Sequence, residues 1–272
     1  MTLRDYILPA YFLLCCAMSA IGQHNILVQD LGNLKLDPSV RYGKLENGFT
    51  YYIRNNNDPK NEVYLQLVVK AGSFHEDSLQ TEYAHLLEHM VMTRTRHFPE
   101  LKKHIQFLGG YGNAVTAGLY TYYWARFSSE NQELQSDGLQ ILRDWSQGID
   151  LNKVSIDVQR GAVLGELRTD NPYREWLSKV TETVIEQSSG FYRKNKEASA
   201  ANIRNFNKDA FIRFYKEWYR PDLEAAIVVG DINVDSVETE IKRLFADLKT
   251  PEKPKDADSS VKEHTIKLDG NN

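Results

Sequence analysis

At 272 residues and 42% hydrophobic content, the chain is long enough for one sizeable core or two small ones. Charged residues make up 26% and the net charge is −4, an ordinary polar surface without the basic excess that nucleic-acid binding needs. Beyond residue 30 no apolar run approaches the roughly 18 residues of a membrane span.

In chain order, residues 1–22 come first. Arg4 precedes an apolar stretch from Tyr6 to Met18, broken by Pro9, and Ala20 and Gly22 are small residues before Gln23. This is the pattern of a cleaved signal peptide, which predicts a periplasmic or secreted mature protein. A short membrane anchor is one alternative, though the apolar run is shorter than a span. Lipid attachment at Cys15 or Cys16 is another, but the preceding residues are bulky. Both cysteines lie in this segment, so the mature chain has neither a thiol nucleophile nor a disulfide.

Residues 23–40 read as an extended leader, and a folded domain is expected over 41–249. Asn47-Gly48 between Lys44-Leu45 and Phe49–Arg54 predicts a β-hairpin. Asn55 to Pro59 breaks the chain, and Glu62–Lys70 predicts a strand. Tyr83, Leu86, Leu87, Met90 and Val91 recur at helical spacing. A second helix is predicted from Pro99 to the Gly109-Gly110 pair. Asn113–Thr116 and Tyr120–Ser128 read as strands, the second with aromatic residues on both faces and therefore expected to be covered on both sides. Helices follow near 130–147, 152–170, 174–187 and 207–218, the last ended by Pro221. Glu224–Val229 reads as a strand, and Asp235–Leu248 as a helix with Asp235 and Glu238 at capping-box spacing. Residues 250–272 have the composition of a linker or tail, with a possible strand start at Thr265–Leu268. Strands at hairpin spacing interspersed with helices predict an α+β domain, a largely antiparallel sheet with helices packed on it.

The segment that carries chemistry is His85-Leu86-Leu87-Glu88-His89. Histidines at i and i+4 project from one helix face, one turn apart, so both imidazoles can reach a single zinc ion. Glu88 lies one residue before the second histidine, placed to take a proton from a water on the open position of such an ion. Two surface histidines on a solvated helix would be the bland alternative, but Leu86, Leu87 and Met90 mark this helix as packed. A catalytic zinc needs a third protein ligand.

His-x-x-Glu-His is the inverzincin order of the motif, and here the sequence resembles the pitrilysin/insulinase metallopeptidases. In that family the third ligand is a glutamate on a later helix. Arg160-Gly161-Ala162-Val163-Leu164-Gly165-Glu166 is similar to that segment, and Glu166 follows His89 after 76 intervening residues. Gly110-Tyr111-Gly112-Asn113-Ala114-Val115-Thr116 resembles the family's Gly-rich turn and edge strand, with Thr121 and Tyr123 following. The resemblance implies that Asn113 and Ala114 pair with an extended peptide by β-augmentation. Phe214-Tyr215, Trp218-Tyr219-Arg220-Pro221 and Val228-Val229-Gly230-Asp231 are similar to later landmarks, so the likeness spans about residues 41–250.

The sequence departs from the family pattern at Glu82, where a glycine is usual, and at Thr93-Arg94-Thr95. It departs again at Gln159, where many members have a second glutamate, and in lacking a Pro-Ile-Gly near 196–201. Ligands and base are untouched. The resemblance implies a pitrilysin-like domain, a zinc endopeptidase acting on unfolded peptides, and a complementary subunit or second half, since members close a chamber from two halves. The alternatives are a non-catalytic or truncated half-subunit that binds peptides or a partner, and a metal-binding protein without hydrolase activity. Cleavage preference, oligomeric state and the activity of the chain alone are not legible in the sequence.

Overall fold

The computed structural model describes residues 35–130, 132–168 and 196–257. The expected signal peptide, most of the leader, the helix near 174–187 and the tail beyond 257 lie outside these residues.

Strands β1 (Arg41–Lys44) and β2 (Thr50–Asn55) form the expected hairpin, with Lys44 opposite Thr50. Gly48 sits at φ +96°, where a side chain would be strained, and the Leu45 amide donates to the Phe49 carbonyl to close the turn. β3 (Glu62–Val69), β4 (Tyr111–Thr116), β5 (Thr121–Ser128) and β6 (Glu224–Gly230) complete one six-stranded sheet in the order β1-β2-β6-β3-β5-β4. Four neighbouring pairs are antiparallel, and β2 with β6 is parallel. The fold is the α+β arrangement predicted. β4 takes an edge, and glycines let it come close to β5. A Cβ on Gly110 would stand 2.2 Å from the Arg126 carbonyl oxygen, and one on Gly112 would stand 2.5 Å from that of Trp124.

The helices described are α1 (Tyr83–Thr93), α2 (Leu101–Phe107), α3 (Gln132–Gln147), α4 (Lys153–Arg168), α5 (Lys196–Arg204), α6 (Lys208–Trp218) and α7 (Val234–Phe245). β2, β3, β5 and β6 each give one face to the core, as a period of two requires. Val63, Leu65, Leu67 and Val69 of β3 are buried with Tyr123, Ala125 and Phe127 of β5 and Ala226 and Val228 of β6. Leu86, Leu87, Met90 and Val91 of α1, Ile141, Leu142 and Trp145 of α3, Phe211 and Phe214 of α6, and Ile241 and Phe245 of α7 belong to the same core. From Ser39 onward the described residues form one unit.

Three expectations are corrected. Among the described residues β5 is covered on one face only: Tyr122 and Trp124 are half-buried and Arg126 is exposed on the other. There Trp124 stacks on Tyr64 at 5.8 Å and meets Tyr111 edge-on, so its aromatic partners are neighbouring strands and not a second layer. The cap of α7 is Asn233, whose side chain accepts from the Ser236 amide. Glu238 turns instead to the sheet, accepting from the Tyr51 hydroxyl at 2.6 Å and from Arg41 at 2.5 Å. α5 has no counterpart among the sequence-based elements. Residues 250–257, linker-like in composition, lie against the domain: Ala257 is buried, and Arg220 donates to the Lys255 carbonyl at 2.5 Å.

Candidate metal centre

α1 is held at its start by side chains from outside it. The carboxylate of Glu76 accepts from the Glu82 amide at 3.0 Å and the Ala84 amide at 2.7 Å, amides that a helix start leaves without partners of its own. The Tyr83 hydroxyl accepts from the Asn207 amide at 2.8 Å and ties α1 to the cap of α6. Beyond α1, Arg94 pairs with Asp150 at 2.6 Å, and Thr95 bridges Ile149. Leu86, Leu87 and Met90 face the core, which turns His85, Glu88 and His89 toward α4 and β4.

The imidazoles of His85 and His89 lie 4.9 Å apart, centroid to centroid. From α4, Glu166 brings one carboxylate oxygen to 3.2 Å from His85 Nε2 and the other to 3.4 Å from His89 Nε2. Each of the three offers a ligand atom, and these lie within 4.8 Å of one another. Zinc bonds of 2.0–2.2 Å to nitrogen and oxygen in tetrahedral geometry put neighbouring donors about 3.3 Å apart. The three side chains therefore fit a zinc ion as donor set and in spacing. Burial works to lower the pKa of His85, but the hydrogen bond and charge of Glu82, with the charges of Glu88 and Glu166, outweigh it and leave the pKa raised. That concentration of negative charge also favours a cation.

Glu88 is half-buried beside the two histidines and lines two cavities. One, of about 530 Å³, also has Met92, Lys102, Ile105 and Tyr111 in its wall; the other, of about 500 Å³, has Glu76, Glu82 and Thr116. Ala114 and Glu166 border both, so the β4 edge runs past the histidines between the two spaces. Asn113 is exposed and lines the first cavity. Below, the Tyr123 and Tyr219 hydroxyls are hydrogen-bonded to each other, both fully buried, and burial pushes both phenols up. Glu76 and Ser199 escaped the functional reading because their part depends on tertiary contacts, whereas Glu82 figured only as a departure from the family pattern and its i,i+3 pairing with His85 was not read. No helix among the described residues is long and apolar enough to cross a membrane.

Residues 51–198 match Insulinase (Peptidase family M16), and residues 205–269 match the Peptidase M16 inactive domain. The chain belongs to Peptidase family M16. Among its relatives, the probable zinc protease PqqL of Haemophilus influenzae is 30% identical over 241 residues, covering 86% of this chain and 26% of that protein. A zinc protease PQQL-like protein of Arabidopsis thaliana is 29% identical over 234 residues, 83% of this chain and 24% of the relative. The chain thus spans about a quarter of these relatives. The crystal structure of the first half of the periplasmic protease PqqL from Escherichia coli has the same fold, with a TM-score of 0.71 at 24% identity over 82% of this chain and 49% of that one.

Proposed function

We propose that this chain is the zinc-bearing domain of a metallopeptidase that hydrolyses peptide bonds in extended, unfolded substrates. The observation that carries the reading is the convergence of His85, His89 and Glu166 beside Glu88 and an edge strand. His85, His89 and Glu166 would hold the zinc, leaving its fourth position open. Zinc, when bound, supplies Lewis acidity that brings the deprotonation of a water near neutral pH. Glu88 takes the proton from the attacking water and returns it to the departing amine. The backbone of Asn113 and Ala114 pairs with the substrate in extended form, so affinity comes from main-chain hydrogen bonds with little demand on sequence. The cavities on either side of Ala114 receive side chains flanking the cleaved bond.

Two variants test this. Glu88→Gln keeps size and polarity but cannot take a proton; the expected result is retained zinc and hydrolysis of a quenched peptide reduced by about 10²–10⁴-fold. The His85→Ala, His89→Ala double variant is expected to lose most of its zinc by elemental analysis. Full zinc in the double variant, or full activity in the Glu88 variant, overturns the assignment.

Residues 1–22 are proposed as an export signal, which agrees with a relative described as a periplasmic protease. A mass spectrum of the native protein beginning near Gln23 is the expected result, and an intact Met1 contradicts it.

A further inference from the structure

Glu82 immediately precedes α1 with its backbone in the left-handed region, at φ +71°. Glycine adopts that conformation freely, whereas a glutamate does so only where its surroundings hold it. Asn61 is the other non-glycine residue at positive φ among those described, and asparagine is a residue type that tolerates it. Glu76 holds the backbone amide of Glu82, and the Glu82 side chain is held as well. One oxygen, Oε2, lies 3.2 Å from His85 Nδ1, and the other, Oε1, accepts from the Ser199 hydroxyl of α5 at 3.0 Å. The ring nitrogen that faces Glu82 is the one opposite Nε2, which lies 3.2 Å from Glu166. The imidazole of His85 is thus gripped at both nitrogens by carboxylates from different parts of the fold. A histidine that ligates a metal through one nitrogen commonly donates its other N–H to a carboxylate, which fixes the tautomer and strengthens the donor.

We infer that Glu82 is a positioning residue for the metal centre: it accepts the Nδ1 proton of His85, aims Nε2 at the space in front of Glu166, and is steadied by Ser199. The inference rests on reading His85, His89 and Glu166 as a zinc site. Glu82 does not ligate the metal in this arrangement and acts on it through the ring it orients, while also forming part of the wall of the second cavity. The strained backbone is the counterpart of that role, since a glycine in its place would relax the chain but leave Nδ1 without its carboxylate.

The experiment measures zinc affinity by competition with a chromogenic chelator, and the Tm of the zinc-free protein, for the full chain and its variants. Glu82→Ala and Glu82→Gly are expected to bind zinc about 10–100-fold more weakly, with Glu82→Gln, which keeps an oxygen acceptor without the charge, in between. Glu82→Gly is expected to hold a zinc-free Tm at or above that of the unaltered chain, because glycine takes the positive φ without strain. A merely structural glutamate would instead lower affinity and Tm together, and that result in the glycine variant overturns the inference. So do affinities within about threefold of the unaltered chain in the alanine and glycine variants. If alanine prevents folding, the glutamine and glycine variants decide by the same criteria. An unaltered chain that takes up no zinc, or a His85→Ala, His89→Ala variant that binds as well, overturns the metal reading and this inference with it. Normal binding confined to the Glu82 variants overturns the inference alone.

Discussion

Two glutamates, Glu238 and Glu224, illustrate what surroundings do to one side chain. Glu238 accepts from Tyr51, Lys242 and Arg41, and these hydrogen bonds hold its carboxyl down at about 2. Glu224 is buried at the start of β6. Burial pushes its carboxyl up to about 7, only partly offset by the hydrogen bond from Ser146 at 2.5 Å and the charge of Arg143. Its second oxygen has no hydrogen-bond partner among the described residues. A carboxyl raised from 4.5 to about 7 holds its proton more tightly when folded. Its contribution to stability is complete below 4.5 and lost as pH rises through about 7. The loss amounts to up to ~3 kcal/mol, at 1.36 kcal/mol per pKa unit. Glu224→Gln cannot ionise, so its Tm in zinc-free protein is expected to fall less between about pH 5 and pH 8 than that of the unaltered chain. Parallel Tm curves for the two proteins would contradict the assignment.

At the scale of the element, α1 is the helix on which the site depends, and its start has no cap from its own N-cap side chain. Glu76 does that work from six residues earlier, through the amides of Glu82 and Ala84. Glu76→Ala is expected to destabilise the chain by about 1–2 kcal/mol, as loss of a cap does, with Glu76→Gln closer to the unaltered chain. Urea unfolding midpoints measure this, and an unchanged midpoint in the alanine variant would show that the cap is idle. The hairpin at Asn47-Gly48, the strand β3 and the packed face of α1 were readable because each has a local period or a turn dipeptide that fixes it. α5 was not: Ile203 is its buried apolar anchor, and much of its hold comes from Arg160 of α4, which donates to the Ile203 and Arg204 carbonyls. The cap of α7 was misread because Asp235 and Glu238 have capping-box spacing, while Asn233 stands two residues earlier and Tyr51 and Arg41 draw Glu238 away. His85, Glu88 and His89 were legible as a motif one helical turn long. The place of Glu166 came only from family resemblance, and the hold of Glu82 on His85 depends on a backbone angle that no sequence pattern announces.

For the whole molecule, the proposed site is open on one side. Glu166 is 57% exposed, and β4 has no strand on its outer edge among the described residues. Open water screens the electrostatic interactions that peptide hydrolysis relies on, and the chain spans about a quarter of its relatives. We therefore predict little peptidase activity from this chain alone and a gain when the complementary part of such a protein is added. The measurement is hydrolysis of a quenched peptide by chain whose mass is fixed by light scattering in the same sample. A monomer turning over at an ordinary enzyme rate, on the order of 1–10³ per second, would show that no further part is needed.

Two of the three proposed donors sit on one helix and the third comes from another, α4, whose place beside α1 is set by packing. Metal occupancy and the docking of α4 on α1 are therefore thermodynamically linked, each favouring the other. Zinc at a hundredfold excess over its dissociation constant would add about 2.7 kcal/mol to the folded state, provided the unfolded chain does not bind it. A chain passing through an export channel unfolded has His85 and His89 close in sequence but Glu166 far away, so it travels without an assembled site. For an exported protein this makes loading a property of the compartment where folding finishes, and ties enzyme supply there to the zinc that compartment holds.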